Sequence, residues 1–147
     1  MANEITLRSS LQIRQGSLFY QSQPSGFNAN MAGSRGPSPG YLTAKQPGTP
    51  VDLSQLAKLG GWAVIYNMDP ADGRTSFLEV CVYDPDTNEL YPFAELLPGE
   101  NFPIRLSRYL GSEFGLHTGT GPTGSGVKLY LKGVGADVGA RVDAFDA

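Results

Sequence analysis

The sequence predicts an all-β fold, an antiparallel sandwich of about eight strands with jelly-roll-like character. Three observations carry this. Glycine (19) and proline (11) make up about a fifth of the 147 residues, where roughly an eighth is usual. Breakers at that density do not suit a helical bundle. Apolar runs are short and alternate with polar residues, the two-residue period of a half-buried strand. These runs recur about every ten residues between turn signals, the spacing of a sandwich or barrel. The length fits one domain spanning 1–147.

Residues 3–22 read as two strands or one long bent one. Ile5, Leu7, Leu11 and Ile13 share odd parity, whereas Leu18 and Tyr20 are even. Either a β-bulge at Gly16 or an ordinary hairpin turn at Gln15-Gly16-Ser17 accounts for the change. In 21–50, 19 of 30 residues are Gly, Pro, Ser, Asn or Gln, and only Arg35 and Lys45 are charged. Phe27, Met31, Tyr41 and Leu42 are spaced along it. This stretch is expected to be an extended arm or loop that becomes ordered on a neighbouring surface, the alternative being a loop packed on its own domain.

Val51–Leu56 alternates like a strand, but Leu53, Leu56 and Leu59 also follow the spacing of a helical turn. Trp62–Asn67 and Phe77–Tyr83 are strands rich in aromatic and β-branched residues. Asp69-Pro-Ala-Asp-Gly73 and Asp84-Pro-Asp-Thr-Asn88 are turns: proline sets φ, aspartate caps, and glycine takes φ > 0. Leu90-Tyr91 and Phe93–Leu97 are expected to be extended, then Pro98-Gly99-Glu100 turns into Pro103–Ser107. Thr118–Gly126 is a low-complexity loop. Val127–Lys132 and Ala140–Asp146 are strands joined by a hairpin around Ala136-Asp137.

Composition limits the chemistry. One cysteine, Cys81, excludes an internal disulfide and a thiolate-rich zinc site. One histidine, His117, excludes a multi-histidine metal centre, and with it a metal-dependent jelly-roll enzyme. The net charge of −3 speaks against direct nucleic-acid binding. No apolar run reaches the length of a membrane span, and no hydrophobic leader opens the sequence, so synthesis in the cytoplasm is expected. Residues 1–58 carry five cations against two carboxylates, while 59–147 carry six against twelve. That asymmetry suits docking on a charged partner or self-association, although a chain this short can show it by chance.

The motifs that suggest catalysis do not complete. Gly121–Lys128 resembles a phosphate-cradling loop, but Val127 holds the lysine position and a strand follows where a helix is required. Asp84, Asp86 and Asn88 mimic the start of a calcium loop, but Glu89 stands where glycine is needed. Cys81 lies mid-strand between valines, with nothing near it in sequence to lower its pKa. Glu95 and Glu100 could act as acid and base only if one cleft held both. No cofactor or metal site and no catalytic residue is expected. What remains is aromatic. Both faces of 62–67 and 77–83 are largely apolar, so these strands are either central in a sandwich or meet another subunit. Candidate interface residues are therefore Phe27, Met31, Tyr41, Trp62, Tyr66 and Tyr83, and a homo-oligomer, a trimer or dimer, is expected.

Five segments carry a resemblance: Val51-Asp-Leu-Ser-Gln-Leu56, Gly61-Trp-Ala-Val-Ile-Tyr-Asn-Met-Asp69, Val80-Cys-Val-Tyr-Asp84, Leu97-Pro-Gly-Glu100 and Ile104-Arg-Leu106. Together they resemble small virion proteins of tailed bacteriophages, over roughly residues 48–108, under half the chain. The resemblance implies a non-enzymatic β-sandwich subunit at the capsid surface. Most often this is a decoration (cement) protein bound to the major capsid protein, sometimes a neck or tail component. It supplies no catalytic residues. A glycan-binding sandwich, with Trp62 or Tyr91 as a stacking platform, is the competing expectation.

Overall fold

The computed structural model describes residues 4–23, 25–31, 33, 35–56, 61–107, 110 and 128–146. Among the described residues there are twelve strands and no helix. They divide into two compact units, Met1–Met31 and Ala32–Ala147.

The first unit is a two-stranded antiparallel ribbon. Strand β1 (Ile5–Ser9) pairs with β4 (Ser25–Ala29), and β2 (Gln12–Gln15) pairs with β3 (Leu18–Gln21). Gln15 faces Leu18 across a two-residue turn in which Gly16 takes φ +56, as the first position of a II′-type hairpin turn requires. The parity change at Gly16 is therefore a hairpin turn. It puts odd residues of one strand and even residues of the other on one face. The ladder does slip by one residue further along, between the Ser9–Ser25 and Gln12–Gln21 pairs. Leu11 bridges the slip, accepting from the Ser22 amide and donating to Ser22 Oγ.

Among the described residues the second unit holds eight strands: β5 (Ser38–Ala44), β6 (Thr49–Pro50), β7 (Trp62–Asn67), β8 (Phe77–Asp84), β9 (Glu89–Leu96), β10 (Asn101–Arg105), β11 (Lys128–Val134) and β12 (Val138–Ala144). They form two four-stranded sheets, β10-β7-β12-β5 and β6-β11-β8-β9. The pairing is nested. First pairs with last (β5 with β12), then β6 with β11, β7 with β10 and β8 with β9. One long hairpin wrapped on itself gives this order, which is a jelly roll.

Alternation places the core. Ala44, Ala63, Ile65, Ala140, Val142 and Ala144 of the first sheet are buried, as are Leu78, Val80, Leu96, Leu129 and Leu131 of the second. Alanine-rich positions on one sheet and leucines on the other fill the gap to the density a core requires. Val51, Leu53 and Leu56 complete the same cluster. Their segment is neither strand nor helix. The Leu56 amide donates to the Leu53 carbonyl, and an Asx turn from Asp52 to the Ser54 amide opens it. Hydrogen bonding by the Ser54 side chain first, and by this amide second, lowers the Asp52 pKa. Leu59 lies outside the described residues.

The stretch 21–50, expected as an arm, is largely scaffold. It contributes β4 to the ribbon and β5 and β6 to the sandwich. β5 is an edge strand, which explains how a strand containing Pro39 is tolerated. Strands β7 and β8, apolar on both faces, each lie between two neighbours in their sheets, the central placement among the two expected.

Candidate docking surface

The register of the first sheet builds a row on its outer face. Asn101 lies opposite Tyr66, Tyr66 opposite Arg141, and Arg141 opposite Tyr41. The next row runs Pro103, Val64, Asp143 and Pro39, and Arg105 faces Trp62 beyond it. Inner neighbours such as Ile65, Ala140 and Val142 are buried, so the two-residue period turns these side chains outward.

Arg141 is the centre of the row. Its Nε donates to Asp143 Oδ1 at 2.8 Å and its Nη1 to the Tyr41 hydroxyl at 3.1 Å. Its guanidinium lies 4.9 Å from the Tyr41 ring centroid and 5.9 Å from that of Tyr66. Asp143, then Tyr41, raise the Arg141 pKa, so its charge is fixed. A guanidinium held on three sides has lost most of its rotamer freedom before any partner arrives, which lowers the ordering cost of binding. Tyr41, on the edge strand, is 70% exposed.

Three of the six sequence-derived candidates, Tyr41, Trp62 and Tyr66, therefore share one face. Tyr83 belongs to the outer face of the other sheet. It stacks on Tyr130 with centroids 4.8 Å apart, and its hydroxyl donates to Asn88 at 2.6 Å. Met31 is in the first unit, half-buried, its amide donating to Glu4. Phe27 faces Leu7 in the ribbon register; its side chain lies outside the described residues.

Sequence reading missed Arg141 and Arg105. An arginine in a strand carries no mark of what stands across the ladder, and Tyr41 and Arg141 are 100 residues apart. It also missed the ribbon tip, where Leu11, Ile13, Leu18, Phe19 and Tyr20 are each more than 40% exposed. Alternation there was a sound strand signal, but it does not say whether a second layer covers the apolar face.

The other candidates resolve locally. Cys81 is fully buried in β8, and burial pushes its thiol up to about 11. Glu100 accepts its own turn's Leu97 amide, and Asp84 caps the Asp86 amide. Lys128 opens a strand, so no helix N-terminus follows the glycine loop. His117 and 118–126 lie outside the described residues. Among the described residues no cluster of His, Cys, Asp or Glu could hold a metal ion, and no helix is long and apolar enough to cross a membrane. No protein-family model, curated protein or solved structure matches the chain.

Proposed function

We propose that the chain is a non-enzymatic virion structural protein. In this reading it is a decoration (cement) protein that stabilises the outer surface of a tailed-phage head, docking on the major capsid protein through the outer face of the β10-β7-β12-β5 sheet. The observation that supports it is the Tyr66–Arg141–Tyr41 row, with Trp62 two rows along on the same face. Tyrosine, tryptophan and arginine are the residues that carry binding energy at protein interfaces, and here the arginine is already oriented. A subunit repeated over a closed shell multiplies modest single contacts by simultaneous attachment.

The test is occupancy. The wild-type protein should co-purify with intact virions at a fixed ratio to the shell protein. The Tyr41→Ala, Arg141→Gln double variant should lower occupancy by about tenfold or more. Its melting temperature should stay near wild type, because both side chains face outward. Absence from virions, or undiminished occupancy of the variant, refutes the proposal. A glycan-binding module is the second reading. It is favoured by the exposed Tyr41 ring beside a guanidinium and the Asp143 carboxylate, and capture on a glycan array with no virion attachment would select it.

A further inference from the structure

The ribbon tip is an unusual surface. Ile13 stands opposite Tyr20 and Gln15 opposite Leu18, which puts Ile13, Tyr20 and Leu18 on one face. Arg14 stands opposite Phe19 on the other. Leu11, Ile13, Leu18, Phe19 and Tyr20 are 55, 42, 57, 57 and 51% exposed. Single exposed apolar residues are normal on any surface, but five on one hairpin are not. A two-stranded ribbon is marginal in water by itself, and leaving its apolar side chains wet makes it more so. Arg14 is the one charged group between Ser10 and Gln23, and it has no hydrogen bond or ion pair among the described residues.

A complementary surface lies on the sandwich of the same chain. A shallow cavity of about 300 Å³ is lined by Glu79, Pro92, Phe93, Ala94 and Glu95. It sits where β9, an edge strand, slips register against β8 between Val80 and Cys81. Tyr91, Phe93 and Leu97 along this edge are 47, 49 and 49% exposed. Glu79 and Glu95 face each other directly across the ladder, a like-charge pair that destabilises a sheet. Lys132 reaches Glu79 only at 3.8 Å, and Glu95 has no partner among the described residues. Pro92 removes a backbone donor from the edge, so the edge favours side-chain docking over addition of a further strand.

We propose that this ribbon tip docks on the β9 edge of a second copy of the chain, with Arg14 set against Glu79 and Glu95. On the Arg14 face the ribbon offers the exposed Phe19 ring and one unpaired cation, with Ile13, Leu18 and Tyr20 on the reverse; the β9 edge offers the exposed Phe93 ring and two crowded carboxylates. The contact is heterologous, tip to edge, so it closes into a ring when the rotation between copies permits. It involves a different surface from the proposed shell-docking face and is measured on the free protein, so either idea can fail without the other.

The experiment is a charge swap in the full-length chain, read by sedimentation velocity over a concentration series reaching tens of micromolar. Wild type should self-associate, more weakly as salt is raised. Arg14→Glu and Glu95→Arg alone should each weaken association by about tenfold or more, the scale of a close interfacial charge pair. The Arg14→Glu, Glu95→Arg double variant should recover most of the wild-type affinity. Circular dichroism should be unchanged throughout, because both positions are exposed. A wild type that stays monomeric, single variants that associate normally, or a double variant that fails to recover would each overturn the proposal.

Discussion

Asn67 ends β7 and is 2% exposed. Its Nδ2 donates to the Leu96 carbonyl at the end of β9, in the opposite sheet, at 2.9 Å. Its Oδ1 accepts the Asp69 amide at 3.0 Å. Its backbone meets Glu100 and Gly99. One residue thus ties the two sheets and two turns together, its side chain meeting Leu96 and Asp69 and its backbone the 97–100 turn. Leucine has a similar size and no polar atoms, so Asn67→Leu leaves a buried carbonyl and a partly buried amide unpaired. The carbonyl costs about 1–3 kcal/mol and the wetter amide about 1. Burying the leucine offsets much of this, about 1.5–3 kcal/mol, leaving a loss of about 1 kcal/mol. For a unit of this length, about 4 °C per kcal/mol, the melting temperature should fall by about 4 °C. Asn67→Asp makes a sharper test. It keeps the acceptor for Asp69 but sets a carboxylate oxygen against the Leu96 carbonyl. Burial and that carbonyl both raise the folded-state pKa above the unfolded value near 4. The protonated acid can donate to Leu96, so the variant's deficit should shrink as pH falls from 7 towards about 5 and through the folded-state pKa. Urea unfolding of wild type and both variants at two pH values measures this. A leucine variant as stable as wild type, or an aspartate deficit independent of pH, would refute the argument.

Arg74 forks Asp72 with bonds of 2.9 and 2.8 Å and reaches Asp69 at 3.0 Å, and the first of these contacts lowers the Asp72 carboxyl to about 2. A depressed carboxylate pKa contributes stability above the unfolded value, and that contribution is lost as pH falls through the folded one. Asp72→Asn should therefore be slightly less stable than wild type above about pH 4 and indistinguishable near pH 2. Unfolding midpoints at both pH values test this, and a gap that persists in acid contradicts it. Cys81 should ignore an aromatic disulfide reagent at mildly alkaline pH in the native protein and react fully once unfolded. Rapid native labelling would show that β8 opens, or that the thiol is not as buried as described.

The fold class was legible because it rests on local signals. Trp62–Asn67 and Phe77–Asp84 alternate, and aspartate, proline and glycine mark the turns, whatever the rest of the chain does. The aromatic candidates were legible as types but not as a group. Tyr41 and Tyr66 become neighbours only because β12 inserts between β5 and β7 and brings Arg141 between them. The Gly/Pro-rich 21–50 stretch misled for a related reason. Composition reports what a backbone cannot do alone, and an edge strand such as β5 needs only one neighbour to accept its hydrogen bonds.

The sequence by itself determined the alternation, the turns and the lack of residues for a thiolate or multi-histidine centre, because each depends on neighbours a few positions apart. Only the tertiary structure decided the nested order of the strands and which faces are covered. It set the alanine-rich face against the leucines, left the equally alternating Leu11–Tyr20 hairpin exposed, and placed Glu79 beside Glu95. The physical reason is that burial and ladder register are relations between distant segments, and a two-residue period says which side chains share a face but not what lies over it.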